Sequence, residues 1–376
     1  MSPVLTLLRD LVALPSVNPA FTPADDPLSG EKRVAAHLLA CARKAKLDVE
    51  IQPVLPDRSN LLIRLKPRGR TQHRIVLAPH FDTVTLHDAS QLEPKIRAGR
   101  LYGRGSCDTK ASVASMFQAI VNVSRMASRP NATEIVLAGL IDEESGQSGS
   151  RALVRSGFQA DFAIVGEPTR LKVVTAHKGD LWLAIQTRGK AAHGSEPHRG
   201  INAITQMARV IEALEGPYAE QLQRVRHPLL GYATLNIGTI AGGRQPNIVP
   251  NFCEIRVDRR TLPHETDASV VRQLKAILRS QGCKTTLRDW KGVPSRPLET
   301  DANLPWVKAL LDVVGQATPA GVNYFSDAGV LADGGIPSVV FGPGDIAQAH
   351  TIDEWVSVRE VERATALLTQ FLGGLT

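Results

Sequence analysis

The chain has 376 residues, of which 43% are hydrophobic and 22% charged, and its formal net charge is +7. This length exceeds what one hydrophobic core usually serves, so we expect a globular chain of two domains. Its basic residues are scattered and only 5% of residues are aromatic, which argues against nucleic-acid binding. No apolar run approaches the length of a membrane span, so we expect no membrane association.

The expected compartment is the cytoplasm. The segment 1–18 carries Arg9 and Asp10 inside its apolar stretch and has no small-residue cleavage site, which is not the pattern of a signal peptide. The cysteines are far apart and lack the paired spacing of zinc ligands, so we expect reduced thiols at Cys41, Cys107, Cys253 and Cys283.

The first half of the chain alternates helical and strand patterns. Helices are predicted at 5–14, 31–45 and 110–126, and apolar strands at 61–65, 75–78, 135–140 and 162–166. Strands that alternate with helices predict an α/β domain whose mostly parallel sheet is flanked by helices.

From about residue 178 the pattern changes to alternating, half-exposed strands. The predicted order is strand 180–188, helix 201–214, strands 233–240 and 252–258, helix 268–281 and strand 285–290. This βαββαβ order predicts a ferredoxin-like α+β domain. After a return linker at 292–297, a helix at 304–314, a strand at 338–341 and a helix at 358–372 resume the first pattern. We therefore expect a larger domain at 1–177 and 291–376, with 178–290 inserted.

Acidic residues and a histidine follow two of the predicted strands. His80 and Asp82 come after 75–78, and the pair Glu143 and Glu144 comes after 135–140. Ligands collect at the carboxyl ends of strands in an open α/β sheet. Imidazole and carboxylate groups at that edge predict a hydrolytic metal site, in which Asp82 orients the ring of His80.

Three more residues complete a candidate ligand set, although each has an ordinary explanation. Asp108 precedes a predicted helix and suits an N-cap, Glu167 suits a turn, and His350 is a loop histidine. Gly103 and Gly105 before Asp108 do not suit a nucleotide loop, because the third glycine is missing and no strand is predicted before them.

Together, the donors suit two divalent ions that share a water. His80 and Glu167 would bind one ion, Glu144 and His350 the other, and Asp108 would bridge them. Nitrogen and oxygen donors accept zinc, cobalt or manganese.

With these residues the sequence resembles the dinuclear-zinc amidohydrolase and exopeptidase family of acetylornithine deacetylase, succinyl-diaminopimelate desuccinylase, aminoacylase and glutamate carboxypeptidase. The matching motifs follow the family's order along nearly the whole chain. They are His80-Phe-Asp82-Thr-Val84, Gly103-Arg-Gly-Ser-Cys-Asp108-Thr-Lys-Ala111, Asp142-Glu143-Glu144-Ser-Gly146, Gly166-Glu167-Pro168, Ala192-His193-Gly194-Ser195 and His350-Thr-Ile-Asp-Glu354.

The resemblance implies roles as well as a zinc-exopeptidase-like catalytic domain. It makes Glu143 the general base and has His193, in an inserted lid and dimerisation domain, stabilise the oxyanion, often from the partner subunit. It assigns the substrate carboxylate to Arg259, although the adjacent Arg260 leaves the register open by one. It also places Asn247 near the substrate, where a turn-forming role is the alternative.

The resemblance further implies a cis peptide bond between Asp108 and Thr109, two zinc ions and a homodimer formed through the inserted domain. The expected activity is hydrolysis of N-acyl amino acids, with a carboxypeptidase or dipeptidase as the alternative. A non-catalytic metal-binding relative is disfavoured because Glu143 and all five proposed ligands are present. A nicotinamide-dependent oxidoreductase is excluded by the lack of a glycine fingerprint.

Overall fold

The computed structural model describes residues 1–293 and 295–375; Pro294, in the predicted return linker, and Thr376 lie outside the described residues. The chain divides into two compact units. The first unit comprises Met1–Thr175, Thr300–Ala320 and Ser326–Thr376, and the second comprises Ala176–Glu299 and Gly321–Phe325.

The elements are numbered in chain order. The α-helices are α1 (Pro3–Val12), α2 (Lys32–Lys44), α3 (Lys110–Ser124), α4 (Ser148–Arg155), α5 (Ala203–Ala213), α6 (Ala219–Leu222), α7 (Asp267–Ser280), α8 (Pro305–Val314), α9 (Asp327–Asp333) and α10 (Val358–Gly373). The strands are β1 (Asp48–Leu55), β2 (Arg58–Leu65), β3 (His73–Pro79), β4 (Lys95–Arg97), β5 (Arg100–Tyr102), β6 (Thr133–Gly139), β7 (Phe162–Gly166), β8 (Val174–His177), β9 (Gly179–Arg188), β10 (Arg226–His227), β11 (Gly231–Tyr232), β12 (Thr234–Gly242), β13 (Phe252–Thr261), β14 (Thr286–Asp289), β15 (Leu298–Glu299), β16 (Ala320–Val322), β17 (Ser338–Val340) and β18 (Trp355–Ser357).

The first unit is built on an open sheet in the order β1-β2-β6-β3-β7-β17. The central pairs β6/β3, β3/β7 and β7/β17 are parallel, and β1/β2 and β2/β6 are antiparallel. Strand β6 is buried along its whole length, as expected for a parallel strand covered on both faces. The predicted fold class, a mostly parallel α/β sheet with helices, is confirmed.

Helices α1, α3 and α10 pack on this sheet through one continuous apolar core. Helix α3 contributes most, because nearly every one of its side chains is buried. At the end of β6, Gly139 leaves the space that the ring of Phe81 fills, since a Cβ there would lie 1.8 Å from the ring. This contact seats the turn after β3 against the turn after β6.

The second unit has an antiparallel sheet in the order β12-β13-β9-β14. Apolar side chains of α5 and α7 pack with those of β9 and β13 in a core separate from that of the first unit. The sequence of its main elements, β9-α5-β12-β13-α7-β14, is the βαββαβ order of a ferredoxin-like unit, with α6, β10 and β11 as additions after α5.

Several elements were not predicted from the sequence. They include β1, α4, α9 and a small antiparallel sheet in the order β18-β5-β4. Strand β5 lies directly before Gly103, so the expectation that no strand precedes this glycine is wrong. A nucleotide loop is still disfavoured, because the third glycine is missing. Among the described residues, no helix is both long and apolar enough to cross a membrane.

Candidate metal centre

Three neighbouring parallel strands deliver residues of the centre to one edge of the sheet. Strand β3 ends at Pro79 and is followed by His80, while β7 ends at Gly166 and is followed by Glu167. Strand β6, paired with β3, leads into the turn that carries Glu143 and Glu144. Because parallel strands end on the same side, three loops separated in sequence meet at one place.

Asp108 and His350 reach this place from the small sheet. Strands β5 and β18 are paired, with Tyr102 opposite Trp355. Asp108 follows β5 and His350 precedes β18, so both loops leave the same end of the β5/β18 ladder. The peptide bond between Asp108 and Thr109 is cis, which confirms that prediction. Thr109, not Asp108, is the N-cap residue of α3, which removes the ordinary explanation for Asp108.

The two carboxylate oxygens of Asp108 face two different groups of ligand atoms. Oδ1 lies 3.1 Å from Nε2 of His80, which in turn lies 3.7 Å from Oε1 of Glu167. Oδ2 lies 3.5 Å from Nε2 of His350, which lies 3.1 Å from Oε2 of Glu144. Within each of these two trios the ligand atoms lie within 4.8 Å of one another. Asp108 therefore belongs to both trios.

The centre crowds negative charge into a buried space. Burial, followed by the charge of Glu167, raises the pKa of Glu143 well above its usual range. Burial and the Asp108 carboxylate raise the pKa of Glu144 to about 7. Hydrogen bonds to Asp108 and Glu144 raise the pKa of His350 to about 10. Carboxylates packed this closely repel one another when they are ionised, and a bound cation would relieve this repulsion.

The donors fit divalent metal ions. Each trio offers imidazole nitrogen and carboxylate oxygen atoms, the set that zinc, cobalt and manganese accept. Oε1 of Glu167 is buried and has no hydrogen-bond partner, an arrangement that costs free energy unless a cation or another donor satisfies it.

Asp82 contacts the ring of His80 mainly through its backbone oxygen. Nδ1 of His80 lies 3.0 Å from the backbone oxygen of Asp82 and 3.5 Å from its Oδ1, so the carbonyl makes the shorter contact. The Asp82 carboxylate instead accepts hydrogen bonds from the backbone N–H groups of Glu143 and Glu144, at 3.1 and 3.0 Å. Asp82 thus orients both the His80 ring and the turn that carries the Glu pair.

His193 belongs to the second unit, where its side chain is exposed. Its Nδ1 accepts a hydrogen bond from the backbone N–H of Ser195 at 3.2 Å and lies 2.7 Å from the Ser195 hydroxyl. An Nδ1 that accepts leaves the proton of a neutral imidazole on Nε2. His193 therefore presents an Nε2–H donor to solvent.

Asn247 lies beside His193 in the second unit, and its side chain is exposed. The Gly194 N–H donates to the Asn247 carbonyl at 2.7 Å, and a Cβ on Gly194 would lie 2.9 Å from the Asn247 backbone. Only glycine fits this approach, which explains the small residue next to His193.

Arg259 is not available as the sequence suggested. It is fully buried, and its guanidinium donates to the Tyr218 hydroxyl at 3.0 Å, to Glu265 at 2.5 Å and to the carbonyl of Arg260. Moving it to a substrate would leave Glu265 as an unpaired, largely buried charge. Arg260 points to the other face of β13, where it is partly exposed and pairs with Asp258 at 2.9 Å. The prediction that Arg259 binds substrate is therefore not supported by its surroundings.

Comparison with known proteins decides the family. The profile of Peptidase family M20/M25/M40 matches residues 76–373. The chain belongs to this family. Its membership confirms the predicted family and the predicted class, a hydrolase of amide or peptide bonds.

Relatives in the family span the whole chain. Acetylornithine deacetylase of Edwardsiella ictaluri (strain 93-146) is 31% identical over 384 residues, covering 98% of this chain and 96% of that protein. The crystal structure of aminopeptidase PepT from Bacillus cereus ATCC 10987 has a TM-score of 0.79 at 23% identity, covering 99% and 97% of the two chains. The Bacillus subtilis YXEP protein, a dinuclear metal-binding peptidase from the M20 family, has a TM-score of 0.71 at 14% identity, covering 98% and 96%. These two structures share the fold.

Some residues of this M20 site were missed by reasoning from the sequence. The side chain of Asn18 donates to Asp82 at 2.7 Å and to Asp142 at 3.0 Å, far from it in sequence. Asp327 begins α9, is buried, and contributes to the raised pKa values of Glu143 and Glu167. No local pattern marks either residue. Glu354 does carry a signal, because it ends the His350-Thr-Ile-Asp-Glu354 motif.

Proposed function

We propose that the protein hydrolyses the amide bond of N-acyl amino acids in a dinuclear metal centre, as an acetylornithine deacetylase-like deacylase. The observation that carries this proposal is the position of Asp108, whose two oxygens face separate trios of donors. The full-length similarity to acetylornithine deacetylases supports the deacylase branch.

The proposed ligands are His80 and Glu167 for one ion, Glu144 and His350 for the other, and Asp108 for both. When bound, the ions supply Lewis acidity that polarises the substrate carbonyl and lowers the pKa of a water. Zinc is the proposed metal because the family resemblance implies it, and the same donors accept cobalt or manganese.

In the proposed mechanism Glu143 is the general base. Its backbone is fixed by Asp82, and its side chain is buried among the ligand residues, 7% exposed. The Glu143 carboxylate takes a proton from the attacking water and returns it to the nitrogen of the leaving amine.

His193 is proposed to stabilise the oxyanion. Its Nε2–H donor, set by the Ser195 N–H on Nδ1, would donate to the carbonyl oxygen as negative charge develops there. The resemblance favours action in trans, so a homodimer formed through the second unit, in the cytoplasm, belongs to the proposal. For the substrate carboxylate we assign Arg260 in place of Arg259, with Asn247 beside the substrate.

The proposal is tested on a panel of N-acetyl, N-succinyl and N-formyl amino acids and simple dipeptides. Each is assayed with enzyme as purified, after chelation, and after zinc or cobalt is restored. We expect cleavage of N-acyl amino acids that chelation abolishes and metal restores. Cleavage of dipeptides alone would make the protein a peptidase, and no cleavage with two ions bound would contradict catalysis on these substrates.

We expect His193→Ala to lower kcat by roughly 10²–10³-fold, the usual effect of losing one oxyanion donor. The metal content should stay at the wild-type value, because His193 is not among the proposed ligands. The measurements are steady-state kinetics and metal analysis. His198→Ala, which changes an exposed histidine close by in sequence, is the control and should retain activity. Loss of metal from the His193 variant would instead make this histidine a ligand.

A further inference from the structure

Glu354 gathers the backbone of the loop that carries Asp108. Its Oε1 accepts hydrogen bonds from the N–H groups of Cys107 and Asp108, at 2.8 and 3.0 Å. Its Oε2 accepts from the Gly105 N–H at 3.0 Å and from the Arg104 guanidinium at 2.7 Å. The backbone oxygen of Glu354 accepts from the Gly103 N–H at 3.0 Å. One residue, 1% exposed, thus binds most of the loop before Asp108.

The position of Glu354 in the chain ties this loop to the second ligand loop. Glu354 lies four residues after His350 and directly before β18, whose partner β5 ends directly before Gly103. The same side chain that holds the Asp108 loop is therefore part of the short segment that carries His350.

Contacts of Arg104 and Gln91 also connect the Asp108 loop with the segment that carries His350. Arg104 is 1% exposed and donates through Nε to the Thr85 carbonyl at 3.1 Å, and its Nη1 donates to Glu354. The side-chain amide of Gln91 donates to the Ile352 carbonyl at 2.9 Å. The backbone carbonyl of Gln91 accepts from the backbone N–H of Arg104 at 2.9 Å. These contacts leave the 103–108 and 350–354 loops little freedom to move independently.

We propose that Glu354 is a positioning residue that sets the distance between Asp108 and His350 and thereby the metal affinity of the centre. The inference rests on the proposed function, because it takes these two residues as ligands. A carboxylate surrounded by N–H donors and a guanidinium is held in one orientation by charge-assisted hydrogen bonds. Residues that orient metal ligands usually change metal affinity 10- to 100-fold when replaced.

A purely structural role is the competing explanation, since a buried ion pair can also serve the fold. The two explanations differ in what the folded protein does. A structural role lowers the thermal stability of the metal-free protein and leaves metal affinity unchanged. A positioning role lowers the affinity of the folded protein for metal.

The test compares Glu354→Gln with wild type, using Zn²⁺ and Co²⁺ alone as probes. Affinity and stoichiometry are measured by titration against a chromophoric chelator, the cobalt visible spectrum reports the ligand field, and Tm is measured without metal. Glutamine keeps the shape of the side chain but replaces one of the two accepting carboxylate oxygens with an NH₂ group, which cannot accept these hydrogen bonds. We expect affinity for at least one ion to fall 10-fold or more, with an altered cobalt spectrum.

Glu134→Gln is the matched control, because Glu134 is a buried carboxylate that binds Arg74 at 2.6 Å near the start of β6. It should change Tm and leave both affinities within twofold of wild type. If Glu354→Gln does not fold, Glu354→Asp keeps the charge with a shorter reach and should also weaken metal binding. Wild-type affinity for both ions in the folded variant would overturn the proposal. Metal binding is measured without substrate, so a wrong substrate assignment does not affect this test.

Discussion

We expect the Glu143→Gln enzyme to hydrolyse its substrate roughly 10²–10⁴-fold more slowly than wild type while binding the same amount of metal. Glutamine fills the same space, and its backbone N–H still donates a hydrogen bond to the Asp82 carboxylate. It has no group that can take a proton from water at neutral pH. The measurement is kcat with saturating metal, together with metal analysis of the purified variant.

The neighbouring carboxylate provides the contrast for this experiment. Glu144 lies 3.1 Å from His350 through Oε2 and belongs to one of the donor trios, whereas Glu143 belongs to neither. Glu144→Gln should therefore lose one equivalent of metal, and Glu143→Gln should lose none. A Glu143 variant that keeps substantial activity, or that loses metal, would contradict its role as the general base.

The strand-end residues of the centre could be predicted from the sequence because their signal is local. Strands β3, β6 and β7 are apolar runs, and each is followed within a few residues by a histidine or carboxylate. Parallel pairing then places these ends together without further information. The same logic fails for contacts made across the chain. Asn18 and Asp142 are 124 residues apart, and no periodicity connects them.

The small sheet was missed for a related reason. Strands β4, β5 and β18 are each three residues long, and the residues of β4 are all exposed, so they show neither apolar runs nor clear alternation. Their stability comes from pairing with each other and not from their own sequences. The bonds of Glu354 to the Asp108 loop depend on that pairing, which is why this residue could be noticed only as part of a motif.

The alternation of side chains along β13 gives Arg259 and Arg260 different surroundings. Side chains alternate across a strand, so Ile255, Val257 and Arg259 share one face of β13. That face is the buried one, and Arg260 lies on the other. Alternation therefore distinguishes the two arginines, whereas similarity to a motif does not.

The second large effect is expected at Asp108, the residue shared by both donor trios. Asp108→Asn should bind one equivalent of metal in place of two, and its kcat should fall by roughly 10³-fold or more. The reason is that both metal positioning and water activation would be lost. In wild type Oδ1 lies 3.1 Å from His80 and Oδ2 lies 3.5 Å from His350. An amide has one acceptor oxygen, so an asparagine can serve only one of the two positions.

The alternative to a shared ligand is that the other two donors of each trio bind an ion without Asp108. Asp108→Asn separates the two cases. His350→Ala is the single-site reference, because it removes a donor from one trio only and should leave one equivalent of metal on His80 and Glu167. Asp345→Asn, in the loop that precedes His350, is the control, since the Asp345 carboxylate pairs with Arg170 and belongs to neither trio. It should retain both equivalents. Two tightly bound ions in Asp108→Asn would contradict the bridging assignment, and with it the observation on which the proposed function depends.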